Sequence, residues 1–225
     1  MASMTEFEWL TSLDPYPMLR PCRPIIGEHP RKGRLFAAAC CYRIWPLLRD
    51  RRSRNAVEVA TRYSEGLASE PELRVAAEAA RAAHAGSFGA TGKVGACSEW
   101  AAEFAASPDA WLAARSASNF AYLAAEDGLQ LQSEREAQSH LLRCIFGPLP
   151  FRPVTLDPIW LTSNHGTVVK LAHAIYDEQA FDRLPHLADA LEQTRCHDTD
   201  ILDHCRRPGP HVLGCWVLDL LLGKG

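Results

Sequence analysis

Apolar residues recur three and four positions apart along most of this sequence, and no segment shows a sustained alternation of apolar and polar residues. In the stretch RLFAAACCYRIW (34–45), for example, Leu35, Ala38 and Tyr42 fall on one face of a helix. This spacing is typical of helices that bury one side, because a turn takes 3.6 residues. The sequence therefore predicts an all-α fold, either an irregular multi-helix bundle or a short array of helical hairpins.

Helix boundaries are marked by short polar side chains and by prolines. Start signals, in which a side-chain oxygen can accept hydrogen bonds from first-turn amides, occur at Thr5, Asp14, Ser69, Asp157 and Asp198. Glutamate follows three residues after Thr5 and after Ser69, which predicts capping boxes at both. The segment 21–33 holds three prolines and two glycines and is predicted to be a loop. The segment 148–158 holds four prolines and is predicted to be an extended connector.

The length of 225 residues is sufficient for a domain with a sizeable buried core. We expect a single helical domain over 1–225. Within it we expect a subdivision into N-terminal helices (1–85), alanine-rich helices (98–147) and a C-terminal helical subdomain (148–225). The glycine-rich segment 86–97 between the first two parts is predicted to be a loop.

Composition bears on the compartment of the protein. No basic segment followed by an apolar run opens the sequence, and no stretch reaches the roughly 18 continuous apolar residues of a membrane span. Most of the eight cysteines lie among apolar residues at helical spacing, where a thiol acts as a small hydrophobic group. The sequence therefore predicts a cytoplasmic protein with reduced cysteines and no membrane partner.

Charge is distributed unevenly along the chain. Residues 20–54 hold ten Arg and Lys side chains against two carboxylates, a net charge of +8 in a chain whose total is −3. One interpretation is that this segment docks on an acidic body of the same chain. The other is a site for nucleic acid or another anion. Its candidate contact residues are Arg31, Lys32, Arg34, Arg49, Arg51, Arg52 and Arg54.

The densest set of metal-capable side chains lies close to a PGP turn at 208–210. The candidate ligands are Cys205, His211 and Cys215, with His204 or Cys196 as a fourth. Zinc takes about four thiolate or imidazole ligands in a tetrahedron, and ligands from two helices can converge across such a turn. The spacing matches no standard zinc module, so a purely structural role for these side chains is one alternative, and thiol or acid–base catalysis is another.

Signatures of the common catalytic sites are absent from the sequence, which contains no GxxxxGK[ST], GxSxG, HExxH or EF-hand pattern. The leading hypothesis is a non-enzymatic helical module, adaptor-like or immunity-like, which binds a protein partner and needs no cofactor. The alternatives are a zinc- or thiol-dependent protein that uses the Cys/His set, and a nucleic-acid or anion-binding protein that uses 20–54.

Several segments together resemble a protein family. They are TEFEWL, DPYPML, RLFAAACCYRIW, RSRNAVEVATRYSEG, IFGPLPFRPVTLDPIWLT, AIYDEQAFDRLPHLADALEQTRC and DILDHCRRPGPHVLGCWVLDLLLGK. On these segments the chain resembles a family of uncharacterised helical proteins that occurs in many copies in planctomycete-type bacteria. The family usually lacks a proline where Pro46 stands. It has no assigned activity, cofactor or catalytic residue, and its many copies imply partner-specific roles such as those of adaptor or immunity proteins.

Overall fold

The computed structural model describes residues 4–87, 92–125 and 131–224, and all regular structure within these ranges is helical. The prediction of an all-α fold is confirmed. None of the described helices combines the length and the apolar character that crossing a membrane requires. In chain order the helices are α1 (Glu6–Thr11), α2 (Pro15–Glu28), α3 (Pro30–Arg43), α4 (Arg51–Ser64), α5 (Glu70–Ser87), α6 (Gly92–Ala105), α7 (Ala110–Ala125), α8 (Leu131–Phe146), α9 (Pro158–Thr162), α10 (Thr167–Glu178), α11 (Leu184–Gln193), α12 (Thr199–Arg206) and α13 (Trp216–Leu222).

The chain divides into two compact units, Met1–Leu142 and Arg143–Gly225, and the division falls within α8. The single domain over 1–225 and its three-part subdivision stay predictions. In the first unit, α3 is the central helix and packs against α4, α6 and α7. Every residue from Lys32 to Cys41 is buried, so this helix is enclosed on all sides rather than on one face.

Small side chains let the helices of the first unit approach one another closely. The buried faces of α6 and α7 consist largely of alanine, at Ala101, Ala102, Ala105, Ala113, Ala114, Ala117 and Ala121. On α3, a Cβ added at Gly33 would lie 2.8 Å from Cγ2 of Ile26 and 3.0 Å from the carbonyl oxygen of Ala110. Only glycine fits at this point without a shift of the neighbouring helices.

The carboxylate of Glu134, on α8, is buried in the first unit. Glu134 accepts a hydrogen bond from Nε of Arg43 at 2.9 Å and another from Nε2 of Gln138 at 3.0 Å. Its side chain is only 1% exposed. Burial raises the pKa of Glu134 above its ordinary value, although Arg43 acts in the opposite direction.

The predicted loop at 21–33 is wrong, because α2 and α3 run through most of this segment. Two prolines, Pro21 and Pro24, lie inside α2. Each removes a backbone donor, at a cost of about 3 kcal/mol in an isolated helix. In the folded chain Met18, Cys22 and Ile26 form a fully buried face on α2, and this burial offsets that cost.

The predicted loop at 86–97 is wrong for residues 86–87, which belong to α5, and for residues 92–97, which belong to α6. Residues 88–91 lie outside the described part of the chain. Cys97 and the alanines that follow it are buried, which holds this part of the chain in a helix. The predicted helix starts are confirmed, with side-chain oxygens that accept first-turn amide hydrogen bonds at Thr5, Asp14, Ser69, Asp157 and Asp198.

The second unit is built from the end of α8 and from α9 to α13. Residues 147–157 contain no helix, but the predicted extended connector begins with turns and a bend over 147–152 and has no regular structure only over 153–157. The last of its four prolines, Pro158, already belongs to α9. Helix α10 packs against α9, α11 and α13, and α12 packs against α11 and α13. The core of this unit includes Trp160, Ile175, Leu187, Leu191, Ile201, Trp216 and Leu218.

Candidate metal centre

Four metal-capable side chains converge in the second unit. They are Cys144 in the last turn of α8, His204 on α12, His211 in the connection between α12 and α13, and Cys215 directly before α13. One ligand atom from each lies within 4.8 Å of the ligand atoms of the other three. The two cysteines are buried and the two histidines are partly exposed.

Two separations between ligand atoms of this Cys/His centre match those of a tetrahedral zinc site. Sγ of Cys144 lies 3.8 Å from Nδ1 of His211, and Nε2 of His204 lies 3.3 Å from Sγ of Cys215. With zinc–sulfur bonds of about 2.3 Å and zinc–nitrogen bonds of about 2.0 to 2.1 Å, tetrahedral ligands lie about 3.3 to 3.8 Å apart. Both of these ligand–ligand distances therefore fall in the range that a tetrahedral zinc ion requires.

Local structure brings three of these ligands together over a short stretch of chain. Asp198 caps α12 by accepting hydrogen bonds from the amides of Asp200 and Ile201, which sets the start of the helix and places His204 in its last turn. After α12 the chain reverses, and the amide of Cys215 donates to the carbonyl oxygen of Val212 at 3.0 Å. This turn brings Cys215 back towards His204.

The ring of His211 is oriented by a backbone group. Its Nε2 lies 3.2 Å from the carbonyl oxygen of Arg207. Because a carbonyl oxygen only accepts, Nε2 carries the proton in this hydrogen bond, and Nδ1 keeps its lone pair on the side of Cys144. A second hydrogen bond of this kind is a common feature of histidines that ligate metals.

The ring of His204 is held between two other rings. The imidazole of His211 meets it edge-on at a centroid distance of 4.9 Å, and the indole of Trp216 does so at 5.4 Å. Trp216 itself is buried at 3% exposure. Two contacts of fixed geometry thus limit the orientation of His204.

The electrostatics of the centre favour a thiolate. Burial by itself raises the pKa of the Cys215 thiol, but its hydrogen bond with Cys144 and the charge and hydrogen bond of His204 outweigh burial and hold that pKa well below its usual value. Burial lowers the pKa of His211, yet its interaction with Cys215 prevails and raises it. The thiolate is the form of cysteine that binds metal.

Three of the five ligands predicted from sequence, His204, His211 and Cys215, come together in the structure. The other two, Cys196 and Cys205, are buried and do not belong to the centre. Cys205 follows His204 on α12 and so points about 100° away from it around the helix axis. Burial raises the pKa of both Cys196 and Cys205, in contrast to that of Cys215.

The ligand that sequence reasoning missed is Cys144, which lies 60 positions before His204. No spacing rule connects residues so far apart, and Cys144 stands in an apolar run, LLRCIF, where a core thiol is the ordinary interpretation. The nearest signal is its place in the last turn of α8, just before Gly147-Pro148, which ends the helix.

Several cations of the basic segment 20–54 form ion pairs or hydrogen bonds within the first unit, or are buried there. Arg31 pairs with Glu65 at 3.0 Å. The buried guanidinium of Arg34 donates to the carbonyl oxygens of Ser107 and Pro108. Lys32 is 4% exposed. These three predicted anion contacts are therefore mostly covered by the protein itself.

The other four predicted anion contacts lie around the start of α4. Arg52 pairs with Asp50 at 2.8 Å. Arg54 donates to the carbonyl oxygen of Leu48 at 2.7 Å. Arg49 and Arg51 are exposed. An anion site on this segment stays a prediction, and its exposed members are confined to residues 49–52.

No protein-family model, no curated protein and no solved structure matches this chain.

Proposed function

We propose that this chain is a zinc-binding protein in which Cys144, His204, His211 and Cys215 hold one Zn²⁺ ion. The observation that supports the proposal is the convergence of these four ligand atoms within 4.8 Å of one another. Two sulfur and two nitrogen ligands in a tetrahedron are the donor set that zinc prefers, whereas magnesium and calcium prefer oxygen.

The role we propose for this ion is structural. Four protein ligands fill the tetrahedral coordination of zinc, whereas catalytic zinc sites keep one position open for water or substrate. The ion would join the end of α8 to α12 and α13, although α8 lies far from these two helices in the sequence. Since such a site exists only in the folded chain, the free energy of zinc binding adds to the stability of the second unit. This function agrees with a non-enzymatic helical module.

The test is a zinc titration of the full-length protein after its metal has been removed with a chelator. We expect one equivalent of Zn²⁺ per chain and a higher melting temperature on binding. Cobalt in the same site should show the visible absorption of a tetrahedral ion with thiolate ligands. The cysteine variants Cys144→Ala and Cys215→Ala should lose the bound ion.

A matched control is Cys205→Ala, which removes a buried thiol of the same unit that lies outside the centre. It should still bind one equivalent. His211→Gln changes a partly exposed ligand and serves if the cysteine variants fail to fold. The proposal is refuted if wild-type protein binds no zinc, or if Cys205→Ala and Cys144→Ala lose it equally.

A further inference from the structure

A pocket enclosed by three helices lies in the first unit. It has a volume of about 260 Å³, and its lining comes from the start of α2, from α7 and from α8. Arg115, Asn119 and Tyr122 line it from α7, where their spacing of four and three positions puts them on one face of the helix. The buried residues of α7 are alanines and one serine. The longer polar side chains of this helix are therefore grouped at the pocket.

The wall that α7 and α8 share is held by hydrogen bonds. Gln138 of α8 lines the pocket and is 1% exposed. Its Nε2 donates to the carbonyl oxygen of Ser118 on α7 at 3.0 Å and to Oε1 of Glu134 at 3.0 Å. Ser118 also lines the pocket and is itself buried. Because these contacts join the two helices in the absence of a ligand, the pocket is already formed.

Both signs of charge occur in the lining. Its charged residues are Asp14, Arg115 and Arg135, which are two guanidiniums and one carboxylate. Arg135 lies 3.8 Å from Asp14 and also over the ring of Tyr122, 4.6 Å from its centroid, so these two charges offset each other. Arg115 is exposed, and its guanidinium makes no ion pair or hydrogen bond with any residue in the described ranges. One positive charge of the lining is thus left uncompensated.

Charged side chains near the pocket do not change this balance. Two carboxylates of α8, Glu134 and Glu136, lie outside the lining, and Glu134 is buried in an ion pair of its own. On the side of α2, the guanidinium of Arg23 lies 5.4 Å from the ring centroid of Trp111, which precedes Arg115 by one helical turn. The surroundings of Arg115 that the structure describes therefore favour an anion.

The remaining lining combines rings with unused polar groups. The hydroxyl groups of Tyr16 and Tyr122 and the side-chain amide of Asn119 make no hydrogen bond with a described residue. Tyr16 is 62% exposed, so its ring is open to a ligand. A few converging polar groups beside apolar surface are the ordinary composition of a small-molecule site.

We propose that this pocket binds a small aromatic carboxylate. The guanidinium of Arg115 would donate two hydrogen bonds to the carboxylate, and the ring of the ligand would pack against Tyr16. One negative charge matches the one uncompensated guanidinium, whereas a phosphate monoester brings a charge of about −1.5 to −2. The volume of about 260 Å³ lies just below the roughly 300–1,000 Å³ of pockets for drug-sized molecules, so a ligand with a single ring fits its size.

Four small probes test this assignment on the full-length protein, in titrations followed by two-dimensional NMR of the 15N-labelled chain. Benzoate carries both the charge and the ring, benzamide has no charge, acetate has no ring, and phenyl phosphate carries the larger charge. We expect benzoate to bind and to shift the side-chain amide signals of Asn119. Benzamide and acetate should each bind about tenfold more weakly or less, because each lacks one of the two contacts.

Matched variants test the place of binding. Arg115→Gln should weaken benzoate binding about tenfold, because the charged hydrogen bonds are lost. Asn119→Asp should also weaken it, because it puts a second carboxylate in the lining. Both residues are exposed, and circular dichroism verifies that the variants keep their helices. The control Arg49→Gln removes the same charge from an exposed arginine of the first unit outside the pocket, and should leave binding unchanged.

Several results would overturn the proposal. They are no binding of benzoate, equal binding of benzoate and either benzamide or acetate, and tighter binding of phenyl phosphate than of benzoate. A loss of affinity in Arg49→Gln as large as in Arg115→Gln would place the anion on the basic segment 20–54 instead. None of these measurements depends on the zinc centre, which belongs to the other unit, so the two proposals fail separately.

Discussion

Gly147 ends α8 in a left-handed conformation that residues with a side chain adopt only at a cost, and it lies against the indole of Trp216. Its φ is +53°, in the left-handed region. A Cβ at this position would lie 2.6 Å from Cγ of Trp216 and 2.7 Å from both Cδ1 and Cδ2. Real Cβ atoms do not approach other atoms this closely, so the change Gly147→Ala must displace the ring.

Two separate costs follow from the change Gly147→Ala. The left-handed conformation costs an L-residue about 1–2 kcal/mol. Overpacking against a buried aromatic ring adds about 1–3 kcal/mol. We therefore expect the second unit to lose about 2–5 kcal/mol of stability in total.

The matched control is Gly223→Ala. Gly223 also ends a helix in the left-handed region, with φ +64°, but an added Cβ there would have no atom within 4 Å. This variant should show only the backbone cost of about 1–2 kcal/mol. Calorimetry on zinc-saturated protein should place the melting temperature of Gly147→Ala at least about 4 °C below that of Gly223→Ala, since 1 kcal/mol corresponds to about 4–8 °C in a unit of this size. Equal melting temperatures would show that the overlap with Trp216 is relieved without cost and would refute the reasoning.

Two further predictions concern buried charges of the first unit. Arg34→Met removes the donor to the carbonyl oxygens of Ser107 and Pro108 and should lower the free energy of unfolding in urea by about 2–4 kcal/mol. Arg34→Lys should have an intermediate effect. An unchanged urea midpoint of Arg34→Met would contradict the prediction. The raised pKa of Glu134 means that the folded state favours its protonated form, so this contribution to stability is complete below the ordinary value of 4.5 and is lost as pH rises through the raised value. In a pH series of urea unfolding, Glu134→Gln should lack this loss, and identical pH profiles for wild type and variant would contradict the prediction.

Local features of the fold could be predicted because their causes are local. A capping oxygen acts on amides two or three residues away, so Asp14 and Asp198 identify helix starts without knowledge of the tertiary structure. Helix α2 shows where such reasoning fails. Pro21 and Pro24 predict a break, and the break is prevented by burial of Met18 and Ile26 in a core that only the complete fold creates.

The candidate metal centre likewise contains ligands that the sequence can predict and one that it cannot. His204, His211 and Cys215 lie within twelve positions of one another, so a local reading of the chain could place them together. Cys144 reaches the centre only because α8 ends beside α12 and α13, which no local pattern reveals. Cys205 is a candidate because it lies close to the turn in the sequence, but the helical rotation of about 100° between neighbouring residues points it away from His204.

The alanine-rich contact of α3, α6 and α7 has a thermodynamic consequence. Alanine has no side-chain rotamers to lose, so burying it carries an entropy cost from the backbone alone. It also exposes little apolar area when the chain unfolds, and apolar area is what gives unfolding its positive heat-capacity change. The first unit should therefore have a small heat-capacity increment for its length and a flat stability curve, with a free energy of unfolding that changes gradually with temperature on both sides of its maximum.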